Sequence, residues 1–163
     1  AETVGRALRF VPREYLFACT SCGLAPMPRA VAEATLAALA QGQDATRVLA
    51  AFDARMQQVY WGAYVRNAQG IVEVQGAEGV YAPQGIPVPE GEAWHGAGPG
   101  WDACHPALQQ LLGRRLASWQ QNCMPQARHV AVLGVAGWRS GAAVAAETAL
   151  PIYIRDDVAV KKR

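Results

Sequence analysis

Cysteine and histidine are the residue types here best able to hold a metal or move a proton, so their spacing decides what chemistry is open. Cys19-Thr20-Ser21-Cys22 has the C-x-x-C spacing shared by zinc half-sites and redox dithiols. Zinc wants a second pair at comparable spacing to complete a tetrahedral set, and Cys104-His105 with Cys123 does not supply one. A redox dithiol wants a strand before it and a helix after it. The cysteines therefore read mostly as small hydrophobic thiols in a reducing cytoplasm. His95, His105 and His129 have no partner at i+4 and no H-E-x-x-H setting, and they read as polar surface or helix-end residues. Ser21, Ser118 and Ser140 are expected to have no adjacent base, and no G-x-S-x-G elbow occurs.

Carboxylates and glycines add little chemistry. Asp156-Asp157 reads as a solvated turn, and Asp53 with Arg55 as an ion pair that stiffens a hairpin. Gly96-Ala97-Gly98-Pro99-Gly100 invites comparison with a phosphate cradle. A P-loop ends in Lys-Ser/Thr, whereas this run continues into Trp101-Asp102. Pro99 also lacks the N–H that a backbone cradle needs. A tight, structurally required turn is the better reading, with Trp94 and Trp101 closing the core beside it. No residue is assigned a catalytic, cofactor-binding or metal role, and a non-catalytic protein is expected.

The elements that must carry these residues follow from periodicity. Residues 1 to 27 have no clean pattern. Pro28 to Gln41 reads as a helix, with Pro28 in its first turn, Val31, Leu36 and Leu39 on its buried side and Gly42 as its stop. Arg47 to Asp53 is a short apolar run, as expected of a buried strand. Met56 to Arg66 alternates, with Val59, Trp61, Ala63 and Val65 on one face and Tyr60, Gly62 and Tyr64 on the other. Asp53-Ala54-Arg55 would turn the two into a hairpin. Asn67-Ala68-Gln69-Gly70 turns again, into a third strand over residues 71–74.

Prolines 83, 87 and 89 make residues 76 to 93 an extended surface loop, and residues 94 to 101 a glycine-rich turn. A helix is expected from about His105 to Gln121, with Leu108, Leu111, Leu112, Leu116 and Trp119 on one stripe. A second is expected from Pro125 to near Gly141, where a strand is the competing reading and length and Pro125 favour the helix. Its centre is apolar all round, which predicts burial, and Gly134 and Gly137 would let a neighbour approach closely. Pro151 to Arg155 reads as a short extended segment, followed by the solvated tail Lys161-Lys162-Arg163.

Composition limits the classes. The chain has 163 residues, 52% of them hydrophobic and 17% charged, with 15 Lys+Arg against 13 Asp+Glu. That length is about one domain's worth with a real core. A net charge of +2 is too balanced for a nucleic-acid binder with a basic stripe. No run of apolar residues is long enough for a transmembrane helix. Leu16-Phe17-Ala18-Cys19 mimics a lipidation site, but Pro12, Arg13 and Glu14 interrupt the apolar run it would need. A cytoplasmic location, with no membrane partner, is expected.

Three motifs then acquire a family meaning. The stretch from Ala45 through Phe52-Asp53-Ala54-Arg55-Met56 to Trp61, then Gly98-Pro99-Gly100-Trp101, then Ala149 through Pro151-Ile152-Tyr153-Ile154-Arg155 to Ala159, stand in a distinctive order. Together they resemble the bacterial tRNA threonylcarbamoyladenosine biosynthesis proteins of the TsaB (YeaZ) family, over residues 44–163. The resemblance implies an α/β, ribonuclease-H-like fold of the actin, Hsp70 and sugar-kinase (ASKHA) superfamily. It divides the chain into a remnant of a first subdomain (1–43), a second subdomain (44–148) and a carboxyl-terminal segment returning toward the first (149–163).

The same resemblance implies a function. The chain would be a non-catalytic scaffold that pairs with and activates the catalytic paralogue TsaD, in modification of adenosine 37 of ANN-reading tRNAs. The ATPase TsaE would join the assembly, a homodimer is possible, and tRNA would be met only through the complex. The chain would hold no cofactor of its own, ATP and metal belonging to the partners. The alternatives are a truncated relative that only self-associates, and a glycoprotease-type metal-dependent hydrolase. This sequence departs from the family in lacking its early Asp-Thr pair and its R-G-P-G-S-F-T-G stretch, so the first subdomain looks abbreviated. Gln57-Gln58 stand where the family has Gly-Glu.

Overall fold

The computed structural model describes residues 29–142. The segment 1–28 (with Ser21, the Cys19/Cys22 pair and the helix-start proline Pro28), the Pro151–Arg155 segment, Asp156-Asp157 and the basic tail lie outside the described residues, and what the sequence implies for them stays an expectation.

Helix α1 (Arg29–Gln41) is built almost wholly from Ala, Leu and other good helix formers. It stops at Gly42, whose N–H returns to the Ala38 carbonyl at 3.1 Å. Leu36 and Leu39 are buried as expected, while the side chain of Val31 is outside the described set. Strands β1 (Arg47–Asp53) and β2 (Val59–Arg66) pair antiparallel with Ala50 opposite Gly62. Strand β3 (Val72–Val74) continues the meander, and a short β4 (Gly79–Tyr81) pairs with the other end of β2. Strand β5 (Trp94–Ala97) joins β1 in parallel, and β6 (Leu116–Gln120) joins β5 in parallel. The order is β3-β2-β1-β5-β6, with β4 also on β2. An antiparallel meander flanked by parallel strands agrees with the ribonuclease-H-like fold.

Both faces of the sheet are covered, which is why β1 and β2 are apolar nearly throughout. On one face Val48, Ala50, Tyr60, Tyr64 and Ala97 pack with Leu36, Leu39 and Leu133. These last come from α1 and from helix α3 (Ala127–Arg139). On the other face Leu49, Ala51, Val59, Trp61 and Trp94 pack with Trp101, Leu108 and Leu112 of helix α2 (Pro99–Leu112). The two-faced alternation read for β2 is therefore the observed one. Trp61, Trp94 and Trp101 are fully buried, and truncating a residue of that size to Ala costs roughly 3–5 kcal/mol.

Several expectations are corrected. The hairpin turn does not close at Arg55: Ala54 N–H bonds to the Gln58 carbonyl at 2.9 Å, and β2 begins only at Val59. Residues 76 to 93 are more than a surface loop. They contribute β4, a 3-10 turn over Pro83–Gly85, and buried Pro83 and Ile86. The expected turn at 94–101 is a strand followed directly by a helix, and that helix ends at Leu112. Gly113 then adopts φ 54°, which breaks the helix. Leu116 and Trp119, placed on the helical stripe, belong instead to β6. Helix α3 exists, but none of its residues is buried. It rests on α1 along one side and leaves Val132, Val135 and Trp138 exposed. Nothing lies within 4 Å of a Cβ placed on Gly134 or Gly137, so these glycines accommodate no close neighbour among the described residues.

Candidate functional site

The Gly96–Trp101 stretch is where β1, β5 and α2 converge, and its glycines are there for packing. A Cβ on Gly98 would collide with the Ala51 carbonyl oxygen, and Gly98 sits at φ 111°, a conformation open to glycine. A Cβ on Gly96 would lie 2.5 Å from the Trp101 indole. Trp101 donates its indole N–H to the Leu49 carbonyl at 2.8 Å, fastening α2 to the central strand. Pro99 occupies the first helical turn, where its missing N–H costs nothing. The backbone here is filled by protein, which supports the structural reading of the run.

Beside this corner lies the end of the hairpin. Arg55, Met56 and Gln57 follow one another at φ 61°, 53° and 58°, three left-handed residues that are not glycine. The Asp53 carboxylate accepts the Arg55 N–H at 2.7 Å and pairs with its guanidinium at 3.5 Å, so the expected ion pair is present. Both partners are largely exposed, and such a pair contributes little by itself. Met56, Gln57, Gln58, Gln84 and Cys104 surround a shallow cleft of about 660 Å³ next to Asp53. Burial, then the charge of Asp53, pushes the Cys104 thiol up. Burial likewise raises Cys123, although Gln43 donates to its sulfur at 3.1 Å. Both are free thiols, held protonated and therefore poor nucleophiles.

One juxtaposition was invisible in the sequence. His95 and Ser118, read as unrelated polar residues, meet at 2.9 Å between Nδ1 and Oγ. The expectation that Ser118 has no adjacent base is thus corrected. The parallel pairing of β5 and β6 puts His95 opposite Ser118, where the local pattern predicts a turn and a helix. His95 lies in a strand instead of a loop, and burial lowers its pKa, which favours the neutral ring. His105 lies within α2, past its start, and stacks on Trp119 with ring centroids 4.4 Å apart. His129 is on a helix as expected, receiving a bond from the Arg128 guanidinium at 3.1 Å. Among the described residues no three His, Cys, Asp or Glu side chains form a group that could hold a metal ion. No helix among them is long and apolar enough to cross a membrane.

The comparisons with known proteins fit this arrangement. No family model matches the chain. It is 38% identical over 136 residues to the tRNA threonylcarbamoyladenosine biosynthesis protein TsaB of Escherichia coli (strain K12), covering 78% of this chain and 58% of that protein. A crystal structure from Pseudomonas aeruginosa, described as an uncharacterized protein with similarity to peptidase YEAZ, superposes with a TM-score of 0.64 at 38% identity. The match covers 74% of this chain and 56% of that one. YeaZ from Pseudomonas aeruginosa superposes with a TM-score of 0.63 at 38% identity, over 73% and 55% of the two chains. The chain thus spans a little over half the length of these relatives. The resemblance carried by its motifs holds, and with it the α/β fold.

Proposed function

We propose that this chain, similar to TsaB and YeaZ over most of its length, serves threonylcarbamoyladenosine modification at adenosine 37 of ANN-reading tRNAs as a non-catalytic subunit. It would act by pairing with the catalytic paralogue TsaD. ATP and metal would reside on the partner proteins, including the ATPase TsaE, and tRNA would be met through the complex. The observation that carries this reading is the 38% identity to TsaB over 136 residues. Two features lend support. The described thiols are held protonated by burial, and the Gly98–Trp101 corner is packed with protein instead of being shaped to cradle a phosphate.

A hydrolytic reading is kept as the competitor because His95 and Ser118 are in contact and one structural neighbour is described as similar to a peptidase. Reconstitution separates the two. The chain is mixed with TsaD, TsaE, the biosynthetic precursors and an ANN-reading tRNA, and the modified nucleoside is quantified after digestion. Modification that depends on the chain and survives His95→Ala and Ser118→Ala is expected. Absence of any dependence overturns the proposal. A peptide- or nucleotide-hydrolysing activity abolished by either substitution favours the competitor.

A further inference from the structure

We propose that the outward face of α3 is a docking site for an amphipathic helix of a partner protein, one whose apolar stripe is closed at both ends by carboxylates. The proposal stands apart from the tRNA-modification reading, and its test needs no modification activity.

At about 100° per residue, Arg128, Val132, Val135 and Arg139 fall within a sector of roughly 60° on the helix. Val132 and Val135 are 42% and 48% exposed, and Trp138, further round the same side, is 71% exposed. Beside them Gln69 and Ile71 of the β2–β3 connection complete a groove of about 540 Å³ with Ala136 and Arg139. An apolar groove along a helix is the usual seat of a second helix. An exposed patch of this kind rimmed by charge marks an interaction surface.

Charge selects the occupant. Arg128 and Arg139 stand about three turns, or roughly 16 Å, apart at the two ends of the apolar stripe. No acidic residue occurs anywhere on α3. Among the described residues Arg128 donates through its Nε to His129 at 3.1 Å and pairs with no carboxylate. A second copy of this chain, laid on α3 in either direction, would set arginine against arginine. A helix with Glu or Asp at both ends of its stripe would instead form a charge-assisted pair at each end.

The test uses the whole chain and a fluorescently labelled, lactam-stapled helical peptide carrying Leu at i, i+3, i+4 and i+7, with Glu at each end of that stripe. A twin peptide carries Lys in place of Glu. Anisotropy is expected to show binding of the Glu peptide, with the Lys twin weaker by about tenfold or more. Arg128→Glu with Arg139→Glu is expected to invert that preference, and Val135→Asn to weaken both peptides. Arg128→Gln with Arg139→Gln, a milder pair of exposed substitutions, is expected to abolish the discrimination without inverting it. Equal binding of both peptides, or binding of neither, overturns the proposal. So does a concentration-dependent dimer in sedimentation that Val135→Asn dissociates, because the occupant is then a second copy.

Discussion

The Arg66 guanidinium and the Gln43 main-chain carbonyl lie 2.6 Å apart, and this contact ties β2 to the end of α1. The same side chain donates to the Gly70 carbonyl at 2.7 Å and, at longer range, to those of Ala40 and Gln41. A helix leaves its last carbonyls without internal partners and carries partial negative charge there. Arg66 supplies a cation and a fork of donors to that end, while holding the turn between β2 and β3. Gln41 works beside it, donating to the Gly70 carbonyl and accepting the Val72 N–H.

Arg66→Ala is therefore expected to destabilise the fold by about 2–3 kcal/mol, the scale of lost charged hydrogen bonds in a half-buried setting. Arg66→Lys is expected to recover only part of that, since one ammonium lacks the planar fork. Urea titrations followed by circular dichroism measure both. A change in Arg66→Ala below about 0.5 kcal/mol shows that solvent satisfies these carbonyls equally well.

Two glycines should respond in opposite directions. Gly98→Ala forces a Cβ into the Ala51 carbonyl at φ 111°, and about 3 kcal/mol or more of destabilisation is expected from overpacking plus backbone strain. Gly134 lies mid-helix with open space around its Cβ, so Gly134→Ala is expected to stabilise by about 0.5–1 kcal/mol. Thermal melts of the two variants side by side check the contrast. Two destabilised variants would mean that a neighbour does press on α3 at Gly134.

What could be read from the sequence follows from where local pattern and tertiary structure agree. The β1–β2 hairpin was legible because the sheet is covered on both faces, so β1 had to be apolar throughout and β2 apolar on alternate faces. The chain from Trp94 to Gln120 was not. Gly98-Pro99 looks like a turn in isolation, yet Gly98 is a packing glycine and Pro99 a helix start. Leu116 and Trp119 continue the spacing of Leu108 and Leu112, and only Gly113 at positive φ breaks the stripe. The His95–Ser118 contact depends on the pairing of two parallel strands, which no local pattern encodes. The apolar centre of α3 suggested burial, but its small residues cover one side contact only.

The turn at the end of the hairpin carries strain that a single substitution can relieve. Gln57 is at φ 58°, the last of three left-handed residues, and each non-glycine residue there costs roughly 1–2 kcal/mol. Glycine adopts that conformation freely but adds entropy to the unfolded chain. Gln57→Gly is thus expected to stabilise by about 0.5–1 kcal/mol net. Equilibrium unfolding decides, and a destabilised variant would show that the Gln57 side chain holds the turn.

Histidine burial predicts how stability moves with pH. The His129 ring packs against Gly42, where a Cβ would lie 2.7 Å from it. Burial, with the nearby charges of Arg128 and then Arg66, lowers its pKa below the ordinary 6.5. His95 is lowered as well, by burial. In both cases the unfolded chain binds a proton more readily than the folded one, so stability rises with pH in that range. The contribution is complete above the unfolded value and is lost as pH falls below it toward the folded value. Protonation of His129 also removes the acceptor that Arg128 uses. Unfolding free energy is therefore expected to fall as pH drops from 7 to 5, and His129→Gln, which keeps an acceptor without titrating, is expected to flatten that slope. An unchanged slope in His129→Gln would assign the pH dependence to His95 or to other groups.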